Sequence, residues 1–231
     1  MAHIHPLPKL LGSTVALKAA MAVSGLLLVG FLVGHMVGNL QVFGLFGGRE
    51  AMNAYGAFLH SKPILLWVAR IGLLVMIAIH IGSAMALIQR NQAARPIGYH
   101  MKKPIASTYA SRTMRWSGPI ITAYILYHLA HFTVAGVGIP GYPLMDAQSR
   151  VDIYQHVVNS FQSPLVSLIY IVAMSLLSMH LWHGLWSLFQ SLGLSNARWN
   201  VLKRPMATGL TVFIIAGFMA VPLGVLFGIV K

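Results

Sequence analysis

Five long apolar stretches take up most of this chain of 231 residues, and they limit the folds that it can adopt. Each stretch reaches the ~20 residues that an α-helix needs to cross the hydrocarbon core of a bilayer. Because no water reaches a lipid-exposed backbone, each stretch must satisfy its own hydrogen bonds and is predicted to be a helix. The sequence therefore predicts an all-α integral membrane protein, a single membrane domain over residues 1–231 with five transmembrane helices: Ala19–Phe46, Ile64–Ile88, Ser117–Ile139, Pro164–Leu192 and Met206–Val230.

The composition agrees with a membrane chain and excludes several other classes of protein. Hydrophobic residues make up 57% of the chain and charged residues 8%, whereas soluble globular domains have about 25% charged residues. The net charge of +13 does not indicate nucleic-acid binding, because the basic residues are concentrated in short segments between the spans. The absence of cysteine excludes disulfides, covalently attached c-type haem and thiolate-held iron–sulfur clusters in this chain.

Lysine and arginine are distributed unequally between the two sides of the predicted bundle. One side holds only Arg49, Lys62, Arg150 and Lys231. The other side holds a larger set: Lys9, Lys18, Arg90, Arg95, Lys102, Lys103, Arg112, Arg115, Arg198, Lys203 and Arg204. Because an excess of Lys and Arg marks cytoplasmic segments, the N-terminus is predicted to be cytoplasmic and the C-terminus external. The long basic connection Gln92–Trp116 is then a cytoplasmic docking surface.

Six of the eleven histidines lie inside predicted spans. The first and second helices carry one each, the third and fourth carry a pair three residues apart, and the fifth carries none. These residues are His35, His80, His128, His131, His180 and His183. Ionisable side chains within a membrane are costly and by default functional. The first four helices are therefore predicted to form a functional four-helix bundle, with the fifth helix outside the site.

The depths of four of these histidines form two levels. At 1.5 Å per residue, His80 and His180 lie roughly 12–15 Å from the cytoplasmic ends of their helices, and His35 and His128 about 18–24 Å from theirs. Two opposed imidazoles at each of two levels are what two b-type haems with paired histidine ligands require in a four-helix bundle. We therefore expect these four histidines to be axial ligands of haem iron. Taken singly, each could instead bond to a neighbouring helix or relay protons.

The other two histidines and three arginines have two interpretations each. His131 and His183 either bond to a neighbouring helix or contact a haem propionate or a quinone. Arg112 and Arg115 either pair with propionates of the nearer haem or are simply residues of the cytoplasmic side. Arg70, about 9 Å from the outer end of the second helix at ~1.5 Å per residue, either neutralises propionates of the deeper haem or extends outward to the interface.

A resemblance to a known family rests on four groups of residues taken in order: Ser24-Gly25 ahead of Gly34-His35-Met36; Ile79-His80; Ser111-Arg112-Thr113-Met114-Arg115-Trp116-Ser117-Gly118 leading to Tyr127-His128-Leu129; and His180-Leu181-Trp182-His183-Gly184 with Phe189-Gln190-Ser191-Leu192-Gly193. In this order over four helices they resemble the dihaem cytochrome b membrane anchor of type B succinate:quinone oxidoreductases, the group that includes quinol:fumarate reductases. The resemblance covers most of the chain. It assigns His180 rather than His183 as the fourth ligand, from the distance along the sequence to Gly193.

The resemblance implies a subunit of succinate dehydrogenase, respiratory complex II of the tricarboxylic acid cycle, in the bacterial cytoplasmic membrane. Anchors of this family bind a flavoprotein subunit, which holds the dicarboxylate site, and an iron–sulfur subunit on the cytoplasmic side. This chain is then expected to contribute the quinone site. Electrons would pass to the haem of His80 and His180, then to the haem of His35 and His128, and then to a quinone. The implied cofactors are two haem b and a quinone, with menaquinone expected, and the family allows an oligomer of the whole complex.

Two other functions fit parts of the pattern. A dihaem cytochrome b subunit of a membrane hydrogenase or formate dehydrogenase shares the bundle and the histidines, but not the order of the motifs. A proton or metal-ion transporter would use the histidines as relay or ligands, but it would more often show acids within its spans and repeat symmetry. In this chain all three acids, Glu50, Asp146 and Asp152, lie in predicted loops.

Overall fold

The computed structural model describes residues 12–95, 97, 100–101, 107–134 and 141–231. In these residues all regular secondary structure is helical, apart from an isolated bridge between Met145 and Val151, so the predicted all-α fold is confirmed. The α-helices, in chain order, are α1 (Thr14–Leu40), α2 (Gly48–His60), α3 (Pro63–Ala93), α4 (Tyr109–Leu129), α5 (Ile153–Phe161), α6 (Pro164–Ser191) and α7 (Ala197–Leu226). A short 3-10 helix, Gly44–Phe46, precedes α2, and a π-helical segment, Ala130–Val134, extends α4.

Four of these helices are long and apolar enough to cross a membrane: α1, α3, α6 and α7, with 27 to 31 residues each. The chain is therefore a multi-pass membrane protein. The third predicted span, Ser117–Ile139, corresponds to α4, which is not among the four. Its first turns are polar, since they contain Arg112 and Arg115. Thr108 caps the helix by accepting a hydrogen bond from the Ser111 N–H at 3.1 Å. The end of that predicted span, residues 135–139, lies outside the described residues, as do Lys102 and Lys103 of the predicted docking surface.

The ends of the spans are set by caps that apolar length alone did not locate. Asn196 caps α7 by accepting a hydrogen bond from the Trp199 N–H at 3.0 Å, so α7 begins nine residues before the predicted Met206. Lys203-Arg204-Pro205, predicted to precede this span, lies inside it. The first span starts earlier than predicted for the same reason, since the Ser13 hydroxyl accepts from the Ala16 N–H at 3.1 Å.

Helix α1 is central, since it packs against α3, α6 and α7, while α4 and α7 both pack against α6. The end of α3 lies beside the start of α1, where Arg90 donates to the Gly12 carbonyl at 2.6 Å. This end, which also holds the start of α4 and α7, is called the basic end. Helix α7 approaches α1 closely, because Gly217 has no Cβ where the buried Met36 thioether lies. Helix α7 therefore packs directly on α1, one of the four helices predicted to form the bundle.

The opposite end, called the capped end, is covered by α2 and α5, two short helices that apolar length did not predict. Gly56 of α2 lies against Ile153 of α5, so the two helices are in direct contact. Val158 and Phe161 of α5 are buried in an apolar cluster with Val42 and residues near the end of α7. The cap thereby ties the connections between the spans into one packed layer.

All three carboxylates of the chain are gathered at the capped end. Arg49 forms an ion pair with the buried Asp152. Arg150 bonds to Asp146 at 2.7 Å and to both carboxylate oxygens of the exposed Glu50, at 2.9 and 2.7 Å. These bonds lower the pKa of Glu50 and raise that of Arg150. The ion pairs join α2 to the segment before α5.

Asn53, which is 1% exposed, connects the carboxylates with the backbone of α5. Its amide nitrogen donates to Asp152 at 2.9 Å and to Asp146 at 3.3 Å. Its amide oxygen accepts from the Tyr154 N–H at 3.0 Å. Burial would raise the pKa of Asp152, but the bonds from Asn53, the Gln155 N–H and Arg49 hold that pKa below its ordinary value.

Asn53→Ala is expected to lower the stability of the capped end by about 2–3 kcal/mol, because it removes three hydrogen bonds and leaves the Tyr154 N–H without its acceptor. Faster amide hydrogen exchange in residues 144–161 would report this loss. Gln148→Ala is the matched control, since Gln148 is exposed and its side chain only accepts a hydrogen bond from Arg150 at the protein surface. Equal exchange in the two variants would contradict the bridging role of Asn53.

The capped end is also expected to loosen as pH falls, through His156. Neutral His156 accepts a hydrogen bond from the Leu144 N–H at 2.8 Å. Burial lowers the pKa of His156 below its ordinary 6.5, although the Asp152 carboxylate opposes this shift. A lowered folded-state pKa means that the stabilisation is complete above the ordinary value and is lost as pH falls below it.

The protection factors of the Leu144 amide and its neighbours, which are exchange rates corrected for the intrinsic effect of pH, should therefore fall between about pH 7.5 and about pH 5. His156→Gln supplies an amide oxygen that accepts the same bond and does not titrate. This variant should flatten the pH dependence, and an unchanged slope would assign the effect to other groups.

Candidate functional site

Four membrane histidines meet in two pairs, each from two different helices. The rings of His35 in α1 and His128 in α4 have centroids 5.8 Å apart and planes at 76°. The rings of His80 in α3 and His180 in α6 have centroids 6.1 Å apart and planes at 62°. These are the same two pairs that the depths of the histidines along their helices predicted. Of the two histidines in α6, His180 is the one that faces His80.

The two pairs lie at different levels along α1. His80 contacts α1 at Met21 and Gly25, where its Nδ1 lies 3.0 Å from the Met21 carbonyl. His35 lies 10 to 14 residues further along the same helix. At 1.5 Å per residue this is a separation on the order of 15–20 Å. The His80 pair is nearer the basic end, and the His35 pair is nearer the capped end.

In the His80 pair, protein groups occupy one nitrogen of each ring. The Met21 carbonyl only accepts, so it holds a proton on Nδ1 of His80 and leaves Nε2 as the nitrogen for a ligand. Nδ1 of His180 lies 3.5 Å from the hydroxyl of Ser117, a buried residue of α4. An imidazole that ligates a metal commonly donates its other N–H to such a partner, which sets its tautomer and orientation.

In the second pair, His128 shows the same arrangement and His35 does not. Nδ1 of His128 lies 3.2 Å from the Tyr170 hydroxyl. At His35 the nitrogen nearest a protein group is Nε2, 3.4 Å from the amide nitrogen of Asn39. That amide donates to the His35 carbonyl at 2.7 Å, and the His35 ring stacks on Phe31 with centroids 5.3 Å apart.

The spacing of both pairs fits one metal held between two rings. Metal–imidazole bonds are about 2.0–2.1 Å long and each ring centre lies about 1 Å beyond its nitrogen, so two axial imidazoles have centres about 6 Å apart. Among the described residues no group of three or more His, Asp or Glu is placed to hold a metal ion by itself. Two imidazoles are too few for a metal site made by protein alone, but they are the full axial set of a porphyrin iron.

Unpaired donors at the basic end offer a second test of this fit. His183 Nδ1 and Trp186 Nε1 are buried without a hydrogen-bond partner in the described part of the chain. Their rings meet edge to face with centroids 5.6 Å apart, and the Arg204 guanidinium lies 5.4 Å from the Trp186 ring centre. Such donors suit a carboxylate, and haem carries two. The residues present therefore fit haem at the His80 level.

His131 is fully enclosed, with 0% exposure. Its Nδ1 lies 2.8 Å from the Tyr170 hydroxyl, and its ring stacks on Tyr127 with centroids 5.4 Å apart. Its Nε2 is buried and without a partner among the described residues. Of the two interpretations from sequence, the structure shows the bond to a neighbouring helix.

The three candidate arginines lie at the two ends of the bundle. Arg112 and Arg115 are exposed in the first turns of α4, at the basic end. Arg70 is half-buried near the capped end of α3, and its guanidinium lies 5.3 Å from the ring centre of Trp67 on the same helix. No described contact joins these three to the paired histidines.

Several residues of the site were not predicted from sequence. Phe218 of α7 lies with its ring centroid 5.7 Å from that of His35, so the fifth predicted span, which has no histidine, still lines the site. Tyr170 and Ser117 supply the partners of His128 and His180. The signal for Tyr170 was available, because a hydroxyl in the middle of an apolar span needs a hydrogen-bond partner.

Comparisons with models of protein families, with curated proteins and with solved structures found no match to this chain. Its function is therefore inferred from its own residues and their geometry.

Gly25→Val is expected to displace the His80 ring, because a Cβ at this position would lie 3.1 Å from His80 Cε1. Haem bound per chain, measured by pyridine haemochrome, should fall. Gly30→Val is the matched control on the same helix, since its Cβ meets nothing within 4 Å. Equal haem in the two variants would argue against ligation by His80.

Proposed function

We propose that this chain is the dihaem cytochrome b membrane anchor of a succinate:quinone oxidoreductase, passing electrons from an iron–sulfur subunit to a membrane quinone. One observation carries the proposal: two pairs of membrane histidines, from four helices, at the ring separations of about 6 Å that axial ligation requires. The ordered motifs that resemble this family direct the proposal to succinate. Menaquinone is the expected quinone.

Two b-type haems would supply one-electron transfer across the membrane, one held by His80 and His180 and the other by His35 and His128. The chain's own residues orient these rings. The Met21 carbonyl and the Ser117 hydroxyl engage Nδ1 at the level of the basic end. Donors at His183 and Trp186 are available to propionates there, and Arg112 and Arg115 add positive charge at the same end.

The proposal includes a fifth transmembrane span, formed by α4 and its π-helical extension, in a bacterial cytoplasmic membrane. We place the basic end and the N-terminus in the cytoplasm, because Lys and Arg mark cytoplasmic segments. The flavoprotein and iron–sulfur subunits would dock at this end. A chain without cysteine holds no cluster of its own, which accords with a partner that supplies the electrons.

The position of the acids favours electron transfer over transport. All three carboxylates of the chain lie outside the candidate spans, in the ion-paired cluster of the capped end. The four paired histidines are therefore without an acidic partner in the spans, whereas proton and metal-ion transporters commonly use membrane-embedded acids in their relays.

The haem content of the purified complex tests the ligand assignment. Wild type should contain two protohaems per chain by pyridine haemochrome. His80→Ala and His180→Ala should each remove the haem near the basic end and leave the other in place. His183→Ala, three residues from His180, leaves all four proposed ligands in place and should retain more of this haem than His180→Ala does. A wild-type value below two, or a loss confined to His183→Ala, would contradict the assignment.

The nature of the partner tests the rest of the proposal. Purification from native membranes should recover a flavin-containing subunit, and succinate should reduce the haems of that complex. Recovery with a nickel- or molybdenum-containing partner would instead identify a cytochrome of hydrogenase or formate dehydrogenase.

A further inference from the structure

Tyr170 of α6 holds the only hydroxyl that the described residues place between two membrane histidines. The side chain is 6% exposed. Its oxygen lies 3.2 Å from Nδ1 of His128 and 2.8 Å from Nδ1 of His131. Edge-to-face contact with Phe161, with centroids 4.9 Å apart, helps to hold the tyrosine ring in place.

A hydroxyl has a single proton to donate and two lone pairs that accept, so Tyr170 can donate to only one of the two rings. Either Tyr170 accepts from Nδ1 of His128, with its own proton available to His131, or Tyr170 donates to Nδ1 of His128. In the first case His128 carries its proton on Nδ1 and Nε2 has a free lone pair. In the second case Nε2 of His128 carries the proton and cannot bind a metal.

Nδ1 of His131, 2.8 Å from the tyrosine oxygen, is placed to accept the tyrosine proton. When this nitrogen is the acceptor, the tyrosine proton is engaged, and the tyrosine oxygen faces His128 as an acceptor only. The contrast with His80 explains why this third residue is needed. The Met21 carbonyl can only accept, so it selects the Nδ1–H tautomer of His80 unaided, whereas a hydroxyl must first be oriented.

We propose that Tyr170 and His131 form a positioning pair that holds His128 in its Nδ1–H tautomer, with Nε2 directed at the haem it shares with His35. This inference rests on the proposed function. It assigns His131, in the π-helical extension of α4, a role through Tyr170 rather than at a propionate or a quinone. It also predicts that the two haems respond differently to changes at Tyr170.

Tyr170→Phe tests the pair in the intact complex. Both haems should remain. The reduction potential of the haem held by His35 and His128 should rise, because His128 without a hydrogen-bond acceptor at Nδ1 is a weaker donor to ferric iron. The low-spin ferric EPR signal of this haem should shift, and that of the other haem should stay. Tyr124→Phe is the control, since this tyrosine stacks on the same His128 ring, with centroids 5.9 Å apart.

His131 provides the second arm of the test. His131→Leu removes the acceptor of the tyrosine proton and should reduce the occupancy of the same haem. His131→Gln keeps an amide oxygen as acceptor and should restore both the occupancy and the EPR signal.

The outcomes separate the two proposals. Wild type without haem would overturn the proposed function and this inference with it. Two haems in wild type, with unchanged potentials and EPR signals in Tyr170→Phe, would overturn the positioning pair alone. So would equal shifts of both haems, or equal behaviour of His131→Leu and His131→Gln.

Discussion

An imidazole buried among apolar helices has one nitrogen that donates and one that accepts, and an unpaired nitrogen there is costly. Much of this structure follows from how that requirement is met. Nδ1 of His80, His128 and His180 each find a partner on a neighbouring helix, a carbonyl in the first case and hydroxyls in the others. The rings are thereby turned towards each other in pairs.

This requirement couples the site to the packing of the helices. Each of these three contacts joins two helices, so the register of α1 against α3 and of α4 against α6 is set where the rings are held. Helix α7 closes the bundle from the other side, through Gly217 against Met36 and Phe218 against His35. The three acidic side chains, which do not enter the apolar bundle, are paired with Arg49 and Arg150 at the capped end, around Asn53.

Much of the fold could be predicted, and the elements that were not predicted have identifiable causes. Apolar length located α6 to within one residue, but it did not locate the start of α7, where Asn196 caps a helix that begins in polar sequence. Helices α2 and α5 are short and half polar, so no run of apolar residues marks them. Within the site, the sequence shows that the Tyr170 hydroxyl needs a partner, but it could not identify that partner, because a bond between α4 and α6 has no counterpart in local spacing.

The sequence by itself determined the class of protein and the two levels of histidines, because both depend on properties that are local to a helix: apolar length and a rise of about 1.5 Å per residue. Helix periodicity could not decide which histidine of a pair three residues apart faces another helix, since both lie on nearly the same side, and the choice of His180 over His183 rested on the family resemblance. Only the tertiary structure placed His180 opposite His80, and His131 behind Tyr170. Those choices depend on the rotation of whole helices, which is set by contacts between residues far apart in the chain.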